Sequence, residues 1–295
     1  MDFQFLLELT VNGALTGWMY SLVALGIVLI YKSSGVPNLA QGAMVMIAAY
    51  LVWVFSHMLA LPIVLALLLA LVAMFFLGLL TERLLLRRMV GQPIIMVVML
   101  TLGLESLLRG IGPGFLGAAP KSLDLGLNMM PIIVGEVFIN REYLVGAVIG
   151  GVMVVLSLLF FRTRVGTKLR AVSDDHVSSW AVGISVERAV GISWGLAGIA
   201  AVAAGAMWGS VQGVDWTLTT LLFPAIAVVI LGGLDSIYGV LVAGLIVGVL
   251  GSVIPGYVDP LVGGGTRDVV TSLIILLTIM FRPHGIFGRE DIERV

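Results

Sequence analysis

The sequence contains no cysteine, which excludes disulfides and thiolate metal sites and leaves the compartment open. Charge is scarce too. Asp, Glu, Lys and Arg make up 11% of the 295 residues, where soluble domains carry about 25%. The net charge of -1 gives no electrostatic case for nucleic acid. The three histidines, His57, His176 and His284, lie far apart and have no metal-ligand partner at helical spacing. They read as loop or interface residues. The Gly-x-x-x-x-Gly-Lys-Ser/Thr string that cradles nucleotide phosphates is missing. Its nearest approach, Gly166-Thr167-Lys168, has the wrong order. Paired acid–base residues are also lacking within the apolar runs. The chain is therefore expected not to be an enzyme, to hold no metal, and to bind no ATP by itself.

What the chain has in abundance is apolar length. Hydrophobic residues make up 60% of it, and the mean hydropathy is +1.14. A membrane span needs about 20 mostly apolar residues. Nine stretches qualify or nearly qualify: Val11–Tyr31, Leu39–Phe55, Pro62–Thr81, Pro93–Leu108, Tyr143–Phe161, Val190–Met207, Leu218–Leu234, Ile237–Ile254 and Val269–Phe281. The fourth and ninth are short and could be partly re-entrant or recruit flanking residues. With the N-terminus outside and every stretch crossing, the inside loops collect twelve Lys and Arg and the outside loops four. Cytoplasmic loops carry the excess of Lys and Arg. The pattern predicts an all-α polytopic transmembrane bundle of about nine membrane segments, N-out and C-in, as one domain over 1–295. Met1 to Glu8 carries no basic residue and does not read as a cleaved signal. Gly110–Glu142 reads as an external loop with a short helix or re-entrant piece, and 162–188 as a cytoplasmic loop.

Few residues inside the spans could carry chemistry. Glu105 sits well within a stretch, with Arg109 four residues on, so the two share a helix face and can pair. Either a helix-end ion pair or a transport role fits them. Glu82, Arg83, Asp235, Arg267 and Asp268 fall at predicted ends, within reach of water or headgroups. Small residues recur every four positions: Gly13, Gly17 and Ser21; Ala197, Ala201, Gly205 and Gly209; Gly244 and Gly248. That spacing lets helices approach closely in lipid. Between the first two stretches, Pro37 disfavours helix at the residue before it. Asn38 and Gln41, three apart beside Gly42, either cap the second helix or line a polar path. Inside, a helix from Thr167 is expected to end near Gly183, a residue suited to a left-handed cap. Leu169, Val172, His176, Val177 and Trp180 fall on one side of it, and Asp174, Asp175, Ser178 and Ser179 mostly elsewhere. Such a helix either docks in a partner's groove or lies on the membrane surface.

Five strings in order, covering nearly the whole chain, resemble the permease subunits of branched-chain amino-acid ABC importers, the H-type by length and N-terminal layout. Asn12-Gly13 through Gly26 is similar to the family's first helix, and Gly35-Val36-Pro37-Asn38-Leu39-Ala40-Gln41-Gly42 to its Gly-Val-Ile-Asn-Phe-Ala-His-Gly segment. Arg162-Thr163-Arg164-Val165-Gly166, Leu169-Arg170-Ala171-Val172 and Val182-Gly183-Ile184 resemble its coupling loop. Leu231 to Gly239, and Arg267-Asp268 with Phe281 to Gly288, resemble its penultimate hairpin and its ending. The sequence departs from the family at Gln41, where histidine is usual, at Ala43, where glutamate is usual, and at Leu39, where phenylalanine is usual. That leaves the solute open among branched-chain amino acids, urea, short amides and other small acids.

Polarity at the break and a charge within a span point to a substrate path at Asn38, Gln41, Gly42 and Glu105. The resemblance, together with the one-sided helix pattern, implies an ATPase-coupling surface at Gly166, Leu169, Ala171, Val172, Asp174, Val177, Trp180 and Gly183. It also implies partners: a second permease (M-type), two cytoplasmic ATPase subunits that hold the ATP, and an external solute-binding protein, all at a bacterial inner membrane. The competing class is an ion-coupled secondary transporter or channel, against which the shortage of buried charge argues.

Overall fold

The computed structural model describes residues 3–89, 92–127, 130–135, 137–174 and 176–288. The helices run α1 (Phe3–Ser34), α2 (Gln41–Trp53, extended by a π turn, Val54–Met58), α3 (Ile63–Leu84) and α4 (Ile94–Leu116). They continue with α5 (Arg141–Arg162), α6 (Arg164–Asp174), α7 (His176–Ala181), α8 (Val186–Gln212), α9 (Leu222–Gly232), α10 (Ile237–Val262) and α11 (Thr266–Phe281). A 3-10 helix, Trp216–Leu221, leads into α9. Local chemistry sets many of the ends. Pro62 and Pro93 stand just before α3 and α4, where a missing N–H costs nothing. The Asn140 side chain caps α5 by accepting from the Glu142 and Tyr143 amides, and Asp215 caps the 3-10 helix by accepting from the Thr217 amide.

Among the described residues, seven helices are long and apolar enough to cross a membrane: α1, α2 with its π turn, α3, α4, α5, α8 and α10. Each of the nine apolar stretches falls on a helix. The fourth recruits flanking residues: α4 runs on through Gly110 to Leu116 and is long enough to cross. The 110–142 segment also differs from expectation. Among the described residues it holds an antiparallel hairpin, β1 (Ile132–Val134) with β2 (Val137–Ile139), and a bridge from Lys121 to Val214, rather than a short helix of its own.

The small-residue stripes decide which helices are central. A Cβ on Gly13 would sit 2.7 Å from Ser252 Cβ and 2.8 Å from the Gly248 carbonyl, and one on Gly17 would run into Gly244. Ser21 Oγ donates to the Val240 carbonyl at 2.9 Å. The first stripe thus packs on the third, joining α1 to α10 backbone to backbone. Gly205 of the second stripe meets the Val45 carbonyl and Ala49 amide of α2. Gly198 and Gly78 seat α8 on α3.

These registers also fix directions. Residue numbers rise together along α2 and α8 (Gln41 beside Ala197, Val45 beside Gly205) and along α1 and α5 (Met19 beside Gly146, Lys32 beside Phe161). They run oppositely between α1 and α10, α3 and α8, and α1 and α8, the last where Tyr20 stacks on Trp208. Since α8 and α10 both oppose α1, the stretch between them carries the chain back across the bundle.

Candidate functional site

The polar segment at 35–41 turns back into the bundle. Gln41 Nε2 donates to the Ala197 carbonyl at 3.4 Å, and its amide fills the space a Cβ on Gly26 would need. Gly26 lies about 12 Å in from the Ser34 end of α1 at 1.5 Å per residue. Helix α2 therefore starts deep in the bundle rather than at its edge. Asn38 and Gln41 are both 0% exposed. The Asn38 amide donates to Gln41 Oε1 at 3.3 Å, and its carbonyl accepts from the Ala40 amide at 3.0 Å. Capping of α2 by Asn38 is corrected: the N-cap is Ala40, with no side-chain cap bond.

A second chain break meets the first. Between α8 and α9 the chain passes Gly213 (φ +88) and the 3-10 helix. The Thr219 carbonyl then comes to rest where a Cβ on Gly42 would stand. From the other side Thr101 Oγ1 of α4 accepts the Leu39 amide at 3.3 Å. Glu105, one turn beyond Thr101, pairs with Arg109 across 3.4 Å, as the four-residue spacing predicts. Asn38, Gln41, Gly42, Thr101 and Thr219 are thus brought together from four elements, with Glu105 along α4 from them. Thr101 and Thr219 carry no sequence signal, because hydroxyls that bond within their own helices look the same in a string.

The 162–188 segment faces two ways. Helix is described on both sides of Asp175, as α6 and α7, over most of the expected Thr167–Gly183 range; Asp175 itself lies outside the described residues. Leu169 (1% exposed) and Val172 (0%) point into the chain's own bundle, where Gly166 lets α6 approach Phe161. They need no partner to cover them, contrary to the one-sided reading. Trp180 is 77% exposed. Ala171 is half-buried and Asp174 exposed. The side chains of His176 and Val177 lie outside the described residues. Gly183 has φ +83, the left-handed end expected of it.

Two further features escape a linear reading. Glu82, expected at a wetted end, is 4% exposed. Arg87 reaches its carboxylate at 3.3 Å and Glu187 of α8 at 3.3 Å, tying α3 to α8. The five-residue separation is not a helical contact spacing, and the pair forms because the 3-10 turn Leu86–Met89 folds back. Second, Gly191-Ile192-Ser193-Trp194-Gly195 fits the Gly-x-Ser-x-Gly nucleophile string. That motif works at a strand-to-helix turn. Here it lies inside α8, with Ser193 1% exposed and Gly195 pressed on Phe75, so it is a packing site.

With this geometry in place, comparison with known proteins is direct. The family model described as "Branched-chain amino acid transport system / permease component" matches residues 9–281. The high-affinity branched-chain amino acid transport system permease protein BraD of Pseudomonas aeruginosa is 27% identical, over 98% of both chains. The probable branched-chain amino acid transport permease protein LivH of Methanocaldococcus jannaschii is 28% identical, over 90% of this chain and 88% of that one. LivH of Escherichia coli is 25% identical over 100% of this chain and 99% of its own. Among solved structures, PsaBC from Streptococcus pneumoniae in complex with Fab superposes with a TM-score of 0.51 at 17% identity, covering 96% of this chain and 94% of that one, a likeness of fold. The motifs at 12–26, 35–42, 162–184, 231–239 and 267–288 therefore point where the whole chain points: it is a multi-pass membrane permease that belongs to the branched-chain amino acid transport system permease family.

Proposed function

We propose that this chain is one permease subunit of an ATP-driven importer for a small solute, and that its two chain breaks form its share of the translocation path. The observation that carries this reading is the seating of Gly42 on the Thr219 carbonyl, with Asn38 and Gln41 beside it in the interior. Irregular backbone at membrane depth is tolerated where it is buried in protein or lines a cavity. Amide and hydroxyl groups gathered there can replace a solute's water as it passes, and the Glu105–Arg109 pair extends the polar line along α4. The Asn38 and Gln41 side chains are fully covered, which fits a closed conformation.

The names of the relatives favour a branched-chain amino acid as solute. Gln41 and Ala43 keep a small amide or acid in play. The chain holds no cofactor in this reading. ATP is bound by two cytoplasmic subunits that dock on Trp180 and the neighbouring α6–α7 surface, including Ala171, Asp174 and Gly183. An M-type permease and an external solute-binding protein complete the assembly in the bacterial inner membrane.

Nine crossings, N-out and C-in, fit the same picture. Parallel pairs join segments an even number of crossings apart, and antiparallel pairs join segments an odd number apart. The Trp216–Gly232 segment is about 28 Å long at roughly 2.0 Å per 3-10 residue and 1.5 Å per α residue, close to the ~30 Å apolar core. Reporter tags at the two ends should appear on opposite sides of the membrane; both on one side removes the odd count. The functional test is solute-stimulated ATP hydrolysis and uptake by the reconstituted complex. Uptake that persists without any ATPase subunit would assign the chain to ion-coupled transport instead.

A further inference from the structure

We propose that the cavity between the ends of α1, α5, α6 and α10 binds the phosphate of an anionic phospholipid. The cavity holds about 250 Å³ and gathers Lys32, Arg162 and Arg170 from three different helices, against one carboxylate, Asp235. Lys32 Nζ donates to the Asp235 backbone carbonyl at 2.6 Å, and Arg170 Nη2 to the Phe161 carbonyl at 3.0 Å. Both cations are thereby held in place at the recess. Arg162 has no hydrogen-bond or ion-pair partner among the described residues.

Helix dipoles account for only part of this arrangement. Lys32 and Arg162 lie in the last turns of α1 and α5, where positive charge is favourable. The dipole does not explain why Arg170 joins them from α6, or why the three surround a cavity. Like charges gathered in a recess repel, and an anion between them removes that cost. A guanidinium pair matches the geometry of phosphate oxygens.

The apolar flanks decide the source of the phosphate. Beyond the cavity, Val155 and Leu159 of α5 and Val242 and Ile246 of α10 are exposed, a surface suited to acyl chains. Tyr238, at the cavity wall, is 55% exposed and has the amphipathic character of residues at headgroup level. Basic pockets between transmembrane helices are a recurrent form of lipid headgroup site. A soluble phosphate would need no such flanks. The inference holds for either orientation of the chain and stands apart from the solute and the path.

The test uses the full-length chain in detergent, with phosphatidylglycerol or phosphatidylcholine added and the adducts counted by native mass spectrometry. Phosphatidylglycerol should be retained in preference to phosphatidylcholine, and excess inorganic phosphate should not displace it. The Arg162→Gln, Arg170→Gln double variant should bind it on the order of tenfold more weakly. Lys168→Gln, on the same helix but outside the cavity, should bind as the wild type does, and the double Arg→Lys variant should keep part of the preference. Equal retention of the two lipids overturns the proposal, as does undiminished binding by the glutamine variant. Displacement by inorganic phosphate would assign the site to a soluble anion. Loss of copurifying ATPase subunits from the glutamine variant at an unchanged lipid count would assign the cations to a protein partner. If the glutamine variant fails to fold, the lipid preference and phosphate competition of the wild-type chain still decide.

Discussion

Helices α1 and α4 are close in hydropathy, yet 78% of the apolar stretch of α1 is buried in the chain and only 17% of that of α4. Apolarity does not separate them; the placement of glycine does. Gly13 and Gly17 on α1 face backbone of α10, while Gly103 and Gly110 on α4 face nothing within 4 Å. A helical glycine costs about 1 kcal/mol relative to alanine. On α1 that cost is offset by backbone contact with α10. On α4 only Gly112 is packed, against Tyr50 and Met46 of α2, while Gly103 and Gly110 meet nothing among the described residues, which leaves the outer face of α4 for lipid or for the second permease. The same split between covered and uncovered recurs in the 162–188 segment, where α6 buries Leu169 and Val172 and α7 exposes Trp180.

The contrast breaks first at its tightest contact. Gly17→Val should destabilise the chain by about 3 kcal/mol or more, at or above the usual range for overpacking, because the obstacle is the Gly244 backbone rather than a yielding side chain. Thermal unfolding in detergent reads this directly, and a wild-type transition would mean that α1 and α10 can separate freely. Next comes the 162–188 segment. Leu169→Ala should cost about 2–5 kcal/mol of stability. Trp180→Ala should change stability by less than about 0.5 kcal/mol while weakening ATPase retention by about 2 kcal/mol. If both substitutions act on retention alone, Leu169 is not the buried core residue described here.

A smaller effect is expected at the polar break. Gln41→Leu removes the partner of the buried Asn38 amide and should cost about 1–3 kcal/mol. Uptake per assembled complex should fall further than assembly does. Unchanged uptake across several solutes would remove Gln41 from the path. The smallest effect belongs to Gly103→Val, within about 0.5 kcal/mol of wild type for the isolated chain. If that variant keeps its fold but no longer pairs with the second permease, α4 is the pairing face; if it pairs normally, its glycine faces lipid.

Much of this was legible in the string. All nine apolar stretches lie on helices, Gly183 takes its left-handed turn, Glu105 pairs with Arg109, and the small-residue stripes are the packing seams. What misled was treating each segment alone. Leu169, Val172 and Trp180 share a side in the string, but Leu169 and Val172 are covered by the bundle and Trp180 is not. Glu82 looked wetted because nothing in its own helix covers it; Arg87 does so only after a 3-10 turn.

The sequence by itself determined that this is a membrane protein, which segments become helices, which loops carry positive charge, and which family it joins. These follow from properties a segment has on its own: transfer free energy, loop charge and local turn chemistry. Only the tertiary structure decided that α1 is central and α4 peripheral, that 39–41 returns to the depth of Gly26, and that the breaks at 35–40 and 213–221 meet at Gly42 and Thr219. The physical reason is that close packing belongs to pairs of surfaces. Two small-residue stripes stabilise a contact only when they arrive at the same depth facing one another, and neither stripe alone carries that coincidence.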